Sequence, residues 1–354
     1  MSNRSVFSSL AKLSCLLPLF VCAVSAQADD DLGDRISAAI KRVFSERKDA
    51  TVRVEAYDKH GKLNGTGFFA DPAGTIFTLT AVVGNAEEIY VIQGDRKLPA
   101  KLLIADPRSG VALIKVDANS PFIPIGDSHK LSTMSPVITI GYPLDLDATP
   151  SFGIIAGFDR KDVANYFVTT HIRANLPVEP GFGGAPVLNL KGEVVSIVVS
   201  DINGGGACYS LPIEAAEKIR MDYVRFGAVQ QGWIGVTVEE QPTEGGPAAV
   251  KIVELQADTP AAQSGLKDGD QLLQVGTFKI EKAEDVIDAS YFLTAGDNVP
   301  ITVLRDGQQL DIDVKPTKHP MAETAGSSMK DLDQLVPKSS VSSVDSSTDT
   351  IKLR

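Results

Sequence analysis

With 354 residues, 43% of them hydrophobic and 22% charged, the chain has the length and apolar content for two folded domains plus extensions. A formal charge of −11 without any basic run excludes nucleic acid and anionic lipid surfaces as partners, because both select for clustered Lys and Arg. Thirty glycines and twenty prolines favour many turns and short strands over long helices.

Residues 1–28 read as a secretory signal peptide. Arg4 and Lys12 supply positive charge, Leu13 to Val24 is almost wholly apolar, and Ala26-Gln27-Ala28 offers small residues for cleavage. The apolar run is shorter than the roughly 20 residues a spanning helix needs, so a membrane tether is the weaker reading and no membrane contact is expected after cleavage. Cys15 and Cys22 leave with this segment, and Cys208 remains alone, unable to form an internal disulfide. Export without disulfides suits a periplasmic or secreted protein with an adequate core. Cys208 reads as a small buried residue rather than a reactive thiol.

Ile36, Ile40, Val43 and Phe44 recur at helical spacing and predict a short amphipathic helix at the start of the mature chain. From Thr51 the period becomes two, with Val52, Val54 and Ala56 alternating with polar residues before a hairpin turn at Asp58-Lys59-His60-Gly61. Short apolar runs follow at Thr75–Thr80, Val111–Val116, Val137–Ile140 and Val194–Val199, a spacing that predicts a β-barrel or sandwich. A second strand-rich unit starts at Gly232-Trp233-Ile234-Gly235-Val236. It contains one helix with Ala283, Val286, Ile287, Ser290 and Tyr291 on a shared face. Beyond Thr317 the chain is rich in Ser, Lys and Asp and reads as a disordered tail.

Several motifs in the first unit carry a family resemblance. Gly65-Thr66-Gly67-Phe68-Phe69 and Thr78-Leu79-Thr80-Ala81-Val82-Val83 resemble the G-S-G-F and T-N-x-H-V-V segments of the HtrA family of periplasmic serine proteases. Asp106 to Lys115 resembles D-P-x-x-D-L-A-V-L-K, and Glu179-Pro180-Gly181-Phe182-Gly183-Gly184-Ala185-Pro186 resembles N-P-G-N-S-G-G-P. The resemblance places Ala81 at the family's histidine, Gly110 at its aspartate and Gly183 at its serine. A serine protease needs a hydroxyl to attack, an imidazole to take its proton and a carboxylate to orient that imidazole. None of the three side chains supplies one, so the sequence reads as a pseudoprotease, not an enzyme. Phe182 is expected to fill the space of a substrate or oxyanion. A relocated site would need a histidine near the degenerate loop, and His171 is the nearest candidate; its plainer reading is a partly buried strand residue. Scattered histidines without H-x-x-x-H or C-x-x-C spacing give no metal site, and no cofactor is expected.

The second unit resembles the PDZ domain of the same family. Thr259-Pro260-Ala261-Ala262-Gln263-Ser264-Gly265-Leu266-Lys267-Asp268-Gly269-Asp270 is close to S-P-A-A-x-A-G-L-x-x-G-D, and Val303 to Gly307 matches the closing hairpin. The implied fold class is mainly β, a chymotrypsin-like double β-barrel over 29–228 followed by an α+β PDZ domain over 229–316, with the tail at 317–354. By resemblance, Trp233, Ile234 and Gly235 form the loop that holds a peptide carboxylate, while Val236, Val286, Ile287 and Tyr291 line the pocket for the last side chain. The expected function is peptide or unfolded-protein binding by an adaptor, chaperone or protease regulator. The alternatives are a serine endopeptidase with a relocated site, and a scaffold whose PDZ groove is occluded. Expected partners are peptides, protein C-termini or unfolded chains. The family also assembles as trimers through N-terminal segments, so a homo-oligomer or an assembly with active relatives is a further expectation.

Overall fold

Val52, Val54 and Ala56, the alternating residues of the first predicted strand, are all fully buried because that strand is one stave of a closed barrel. The computed structural model describes residues 19–144, 146–162, 165–202, 204–243, 246–318 and 350–351. Of the predicted signal peptide, residues 1–18 lie outside the described residues, and the remainder is the start of helix α1 (Leu19–Arg47). The end of α1 is tied down: Val43 is fully buried, and Arg42 Nη2 and Arg47 Nε donate to the carbonyls of Leu190 (3.0 Å) and Gly192 (2.9 Å).

The first barrel comprises β1 (Thr51–Asp58), β2 (Gly61–Phe69), β3 (Thr75–Leu79), β4 (Glu88–Gln93), β5 (Arg96–Ala105) and β6 (Val111–Val116), closed in the order β1-β2-β3-β6-β5-β4. Its first hairpin turns as predicted, with Asp58 Oδ1 accepting from the backbone N–H groups of His60 (2.8 Å) and Gly61 (3.0 Å). A single helical turn, α2 (Thr80–Val83), follows β3. The second barrel comprises β7 (Pro136–Gly141), β8 (Thr149–Asp162), β9 (Asn165–Asn175), β10 (Pro186–Leu188), β11 (Val194–Ile202) and β12 (Ala207–Pro212), closed as β10-β11-β12-β9-β8-β7. Closure leaves neither barrel with a free sheet edge. Helix α3 (Ile213–Phe226) buries Ile213, Ala215, Ala216 and Ile219 and ends at Gly227, whose left-handed φ of 71° no β-branched residue would tolerate.

The C-terminal unit is a sheet capped by helices α4 (Pro260–Ser264) and α5 (Ala283–Phe292). Its strands are β13 (Gly232–Trp233), β14 (Val236–Thr243), β15 (Gly246–Leu255), β16 (Gln271–Val275), β17 (Phe278–Lys279), β18 (Val299–Arg305), β19 (Gln308–Val314), β20 (Thr317–Lys318) and β21 (Thr350–Ile351). The main sheet runs β19-β18-β16-β15-β14-β21, β17 pairs with β16, and β20 pairs separately with β13. A core of its own, including Val238, Ile252, Leu272, Val286, Ile301 and Val303, holds this unit together.

The expectation of a disordered tail over 317–354 needs correction at both its ends. Thr317–Lys318 pairs with Gly232–Trp233, and Thr350–Ile351 pairs with Val238 and Glu239. The composition of the tail gives no core, but strand pairing needs only backbone donors and acceptors and an unpaired edge to receive them. The rest of the predicted tail, residues 319–349 and 352–354, lies outside the described residues.

Candidate functional site

The sequence points to two places in the fold, the end of β3 facing the Gly181–Ala185 loop and the Gly235 loop of the C-terminal unit. In the first, Thr80 at the start of α2 is fixed to the Asp106–Gly110 turn: its N–H donates to Gly110 O (2.7 Å) and its hydroxyl to Val111 O (3.0 Å). Ala81, next along, is exposed. Gly183 sits across from Leu79, whose Cδ1 would lie 2.9 Å from a methyl placed on that glycine, and its carbonyl accepts from Thr66 N–H (2.9 Å). Ala81, Gly110 and Gly183 therefore share one neighbourhood where the end of β3 meets the Gly181–Ala185 loop. Their own side chains bring no imidazole, carboxylate or hydroxyl to it.

The Phe182 expectation is overturned. Its ring is 2% exposed and lies over Gly141, where even a methyl group would meet the ring at 2.5 Å. It belongs to the core of the second barrel with Val137, Ala185 and Val195. His171 is buried on β9, stacked on Phe167 at 4.2 Å between ring centres. Its Nδ1 lies 2.8 Å from Thr169 O, and burial holds its pKa below the ordinary histidine value. No serine hydroxyl bonds to it among the described residues, so the geometry is that of a neutral strand histidine. Cys208 is fully buried, and burial pushes its thiol up to about 12, which removes the thiolate needed for nucleophilic chemistry at neutral pH.

The second site is the mouth of the C-terminal unit. Gly235 adopts φ +81°, and a Cβ there would meet Thr259 Cβ and Cγ2 at 2.5 Å. Only glycine meets both demands. The Thr259-Pro260-Ala261-Ala262 motif explains itself as the support of this loop. Thr259 Oγ1 accepts from Ala262 N–H (3.3 Å) to cap α4, and Pro260 occupies the first turn. Ala261 N–H donates to Ile234 O (3.0 Å) and Gln256 N–H to Gly235 O (3.0 Å). Loop carbonyls are thereby used up on the inside of the fold.

Beneath the loop lies an apolar pocket of about 70 Å³. A single water needs roughly 10–15 Å³ by the same measure, so the space suits one medium apolar side chain. Of the residues the sequence assigned to peptide binding, Trp233, Ile234, Gly235, Val236 and Val286 line it. Ile287 and Tyr291 do not. Ile287 is half-buried outside the pocket. Tyr291 is 2% exposed and points the other way, packed into the cluster formed by the first barrel and α3, with its hydroxyl donating to Ala215 O (3.1 Å). Burial pushes its phenol pKa up. Ser290 and Leu293 take the lining positions instead, one and two turns beyond Val286. Ser290 shares the predicted face with Val286, and the i, i+4, i+7 spacing extends that line to Leu293.

Helix α5 is thus lined on one side by the pocket and fastened on the other to the second barrel. Asp288 accepts from Thr170 N–H (2.5 Å), Thr170 Oγ1 (2.7 Å), Thr169 Oγ1 (3.0 Å) and Arg160 Nε (3.0 Å). Arg160 also reaches Asp285 (2.5 Å).

Comparison with known proteins agrees with this architecture. Residues 65–197 match the trypsin-like peptidase domain family and residues 232–315 the PDZ domain family. A probable periplasmic serine endoprotease, DegP-like, of Pseudomonas fluorescens is 33% identical over 290 residues, covering 78% of this chain and 59% of the relative. A protein of the same description in Halomonas elongata is 32% identical over 302 residues, covering 80% of this chain and 63% of the relative. The chain spans about three-fifths of the length of these curated relatives. Among solved structures, the HtrA-type protease AlgW with tripeptide superposes with a TM-score of 0.66 at 23% identity, over 79% of this chain and 97% of that one. The serine endoprotease from Yersinia pestis gives 0.58 at 26% identity, over 79% and 98%. These names overturn the sequence-based expectation that the chain is not an enzyme: the relatives it matches are serine endoproteases, and the label of pseudoprotease is withdrawn. No helix among the described residues is long and apolar enough to cross a membrane.

Proposed function

This chain belongs to the HtrA family, a trypsin-like domain followed by a PDZ domain, and from that premise we propose that its PDZ groove captures the ends of extended or unfolded polypeptides in the periplasm. The observation that carries the reading is the apolar pocket opening directly under the left-handed Gly235 loop. A peptide entering there adds as a strand along β14, turns its terminal carboxylate to the N–H groups of the Trp233–Gly235 loop, and seats its last apolar side chain against Val286 and Leu293. The backbone supplies most of the affinity and the pocket supplies the selection for an apolar end. Because α5 is fastened to β9, a captured segment is held beside the trypsin-like domain. Solved AlgW structures carry peptides, a tripeptide in one and a decapeptide in another, which supports this reading.

A library of C-terminal decapeptides, followed by fluorescence anisotropy, tests it. Peptides ending in a medium apolar residue should bind in the micromolar range, and amidating their carboxylate should weaken them at least tenfold. Gly235→Ala forces a methyl into Thr259 and is expected to weaken the same peptides by tenfold or more, with the fold retained by circular dichroism. No ligand better than millimolar, for either the full chain or a chain shortened to end at Lys338, would overturn the proposal.

A further inference from the structure

The edge that such a peptide would use is already taken. Strand β14 is bonded to β15 on one side, and without β21 its other side would be a bare sheet edge. That side pairs with Thr350–Ile351 of the same chain, Ile351 opposite Val238 and Thr350 opposite Glu239, in antiparallel register. The order matters. Moving from Thr350 to Ile351, the segment passes from Glu239 to Val238, toward the Gly235 loop. That is the direction in which an added strand must run to present an end to that loop.

We infer that the segment around Thr350–Ile351 is an internal ligand of the PDZ groove, which external peptides must displace. The inference rests on the groove reading above and adds a named occupant to it. Connectivity favours the chain's own segment over one from a second copy. Strand β20 holds Thr317–Lys318 against Gly232–Trp233, and only Ile234 and Gly235 separate Trp233 from the start of β14. The connection through residues 319–349 thus leaves from the mouth of the groove and returns to it. A flexible linker of about thirty residues has a root-mean-square span of roughly 30 Å. Tethering on this scale gives an effective concentration on the order of a millimolar. A segment with an intrinsic affinity of about 100 μM would then fill about nine-tenths of grooves and raise the apparent Kd of a competitor about tenfold.

The test uses a fluorescein-labelled peptide of residues 345–354, Asp345 to Arg354, with three proteins: the full chain, a chain ending at Lys338, and the full chain carrying Thr350→Pro with Ile351→Pro. The two prolines remove backbone donors from the pairing without shortening the chain. The shortened chain and the proline variant should bind the peptide at least tenfold more tightly than the full chain. Equal affinity for all three would overturn the inference, as would a shortened chain that binds library peptides but not this one; both results leave the groove reading intact. If the shortened chain binds neither, the groove reading fails and the internal ligand with it. Light scattering supplies the remaining arm, since a dimer converted to monomer by either change would place the segment on a second copy and overturn the intramolecular assignment.

Discussion

Replacing Asp288 with alanine is expected to destabilise the protein by about 2–3 kcal/mol, the range for losing hydrogen bonds to a charged group at a partly buried site. The carboxylate is 8% exposed and accepts four hydrogen bonds from β8 and β9. Alanine leaves the Thr170 N–H without its acceptor and Arg160 without one of its carboxylates. The loss should fall on the seam between domains rather than on either core, because the PDZ core is a cluster of its own and α5 meets the barrel cluster only through Tyr291 and Phe292. Calorimetry should therefore show one unfolding transition splitting into two, the PDZ domain melting first. Hydrogen exchange should rise on α5 and β9 and remain low on β3 and β6. Asp288→Asn keeps an acceptor oxygen for Thr170 and should lose less than half as much. A single unshifted transition for the alanine variant would mean the Asp288 network contributes nothing to docking.

The same helix shows where sequence reading stops. A β-barrel or sandwich was legible because the first strand alternates with period two at Val52–Ala56, turns at Asp58–Gly61, and is followed by short apolar runs bounded by turn residues; the division into two barrels came from the family resemblance. The Gly235 loop was legible because a left-handed glycine beside a Thr-Pro-Ala-Ala cap is a local pattern with a local cause. The facing of α5 was not. It is buried on two sides, so Val286 and Tyr291 are equally apolar in sequence yet answer to different partners, and only the tertiary seam with α3 separates them. Phe182 failed for a related reason: a loop residue can turn into either of two spaces, and the choice was made by Gly141 on another strand. The pairing of Thr350–Ile351 lies furthest from local pattern, since its stabilising partner is an edge more than a hundred residues away in sequence.

The ion pair at the far side of the PDZ domain gives the second large effect, and its dependence on pH can be worked out. Asp270 is 1% exposed, and its two oxygens meet Arg305 Nε (2.6 Å) and Nη2 (2.7 Å), while Oδ2 also accepts from Lys267 N–H (2.8 Å). Burial alone would raise the Asp270 pKa, but Arg305 and the Lys267 backbone outweigh it and hold the carboxyl below the ordinary aspartate value. A carboxyl depressed in the folded state contributes stability that is fully present above its unfolded pKa of about 3.9 and is lost as pH falls through the folded value. Asp270→Asn should thus cost about 2–3 kcal/mol at pH 7, by loss of charge-assisted hydrogen bonds at a buried site. The difference from the parent should stay constant down to about pH 5 and narrow below about pH 4 as the parent's own carboxylate is protonated. Urea titrations of both proteins between pH 7 and pH 3 measure it directly. A gap that persists unchanged to pH 3 would assign the stabilisation to packing of the loop rather than to the charge, and a gap absent at pH 7 would show that Arg305 finds equal company in water.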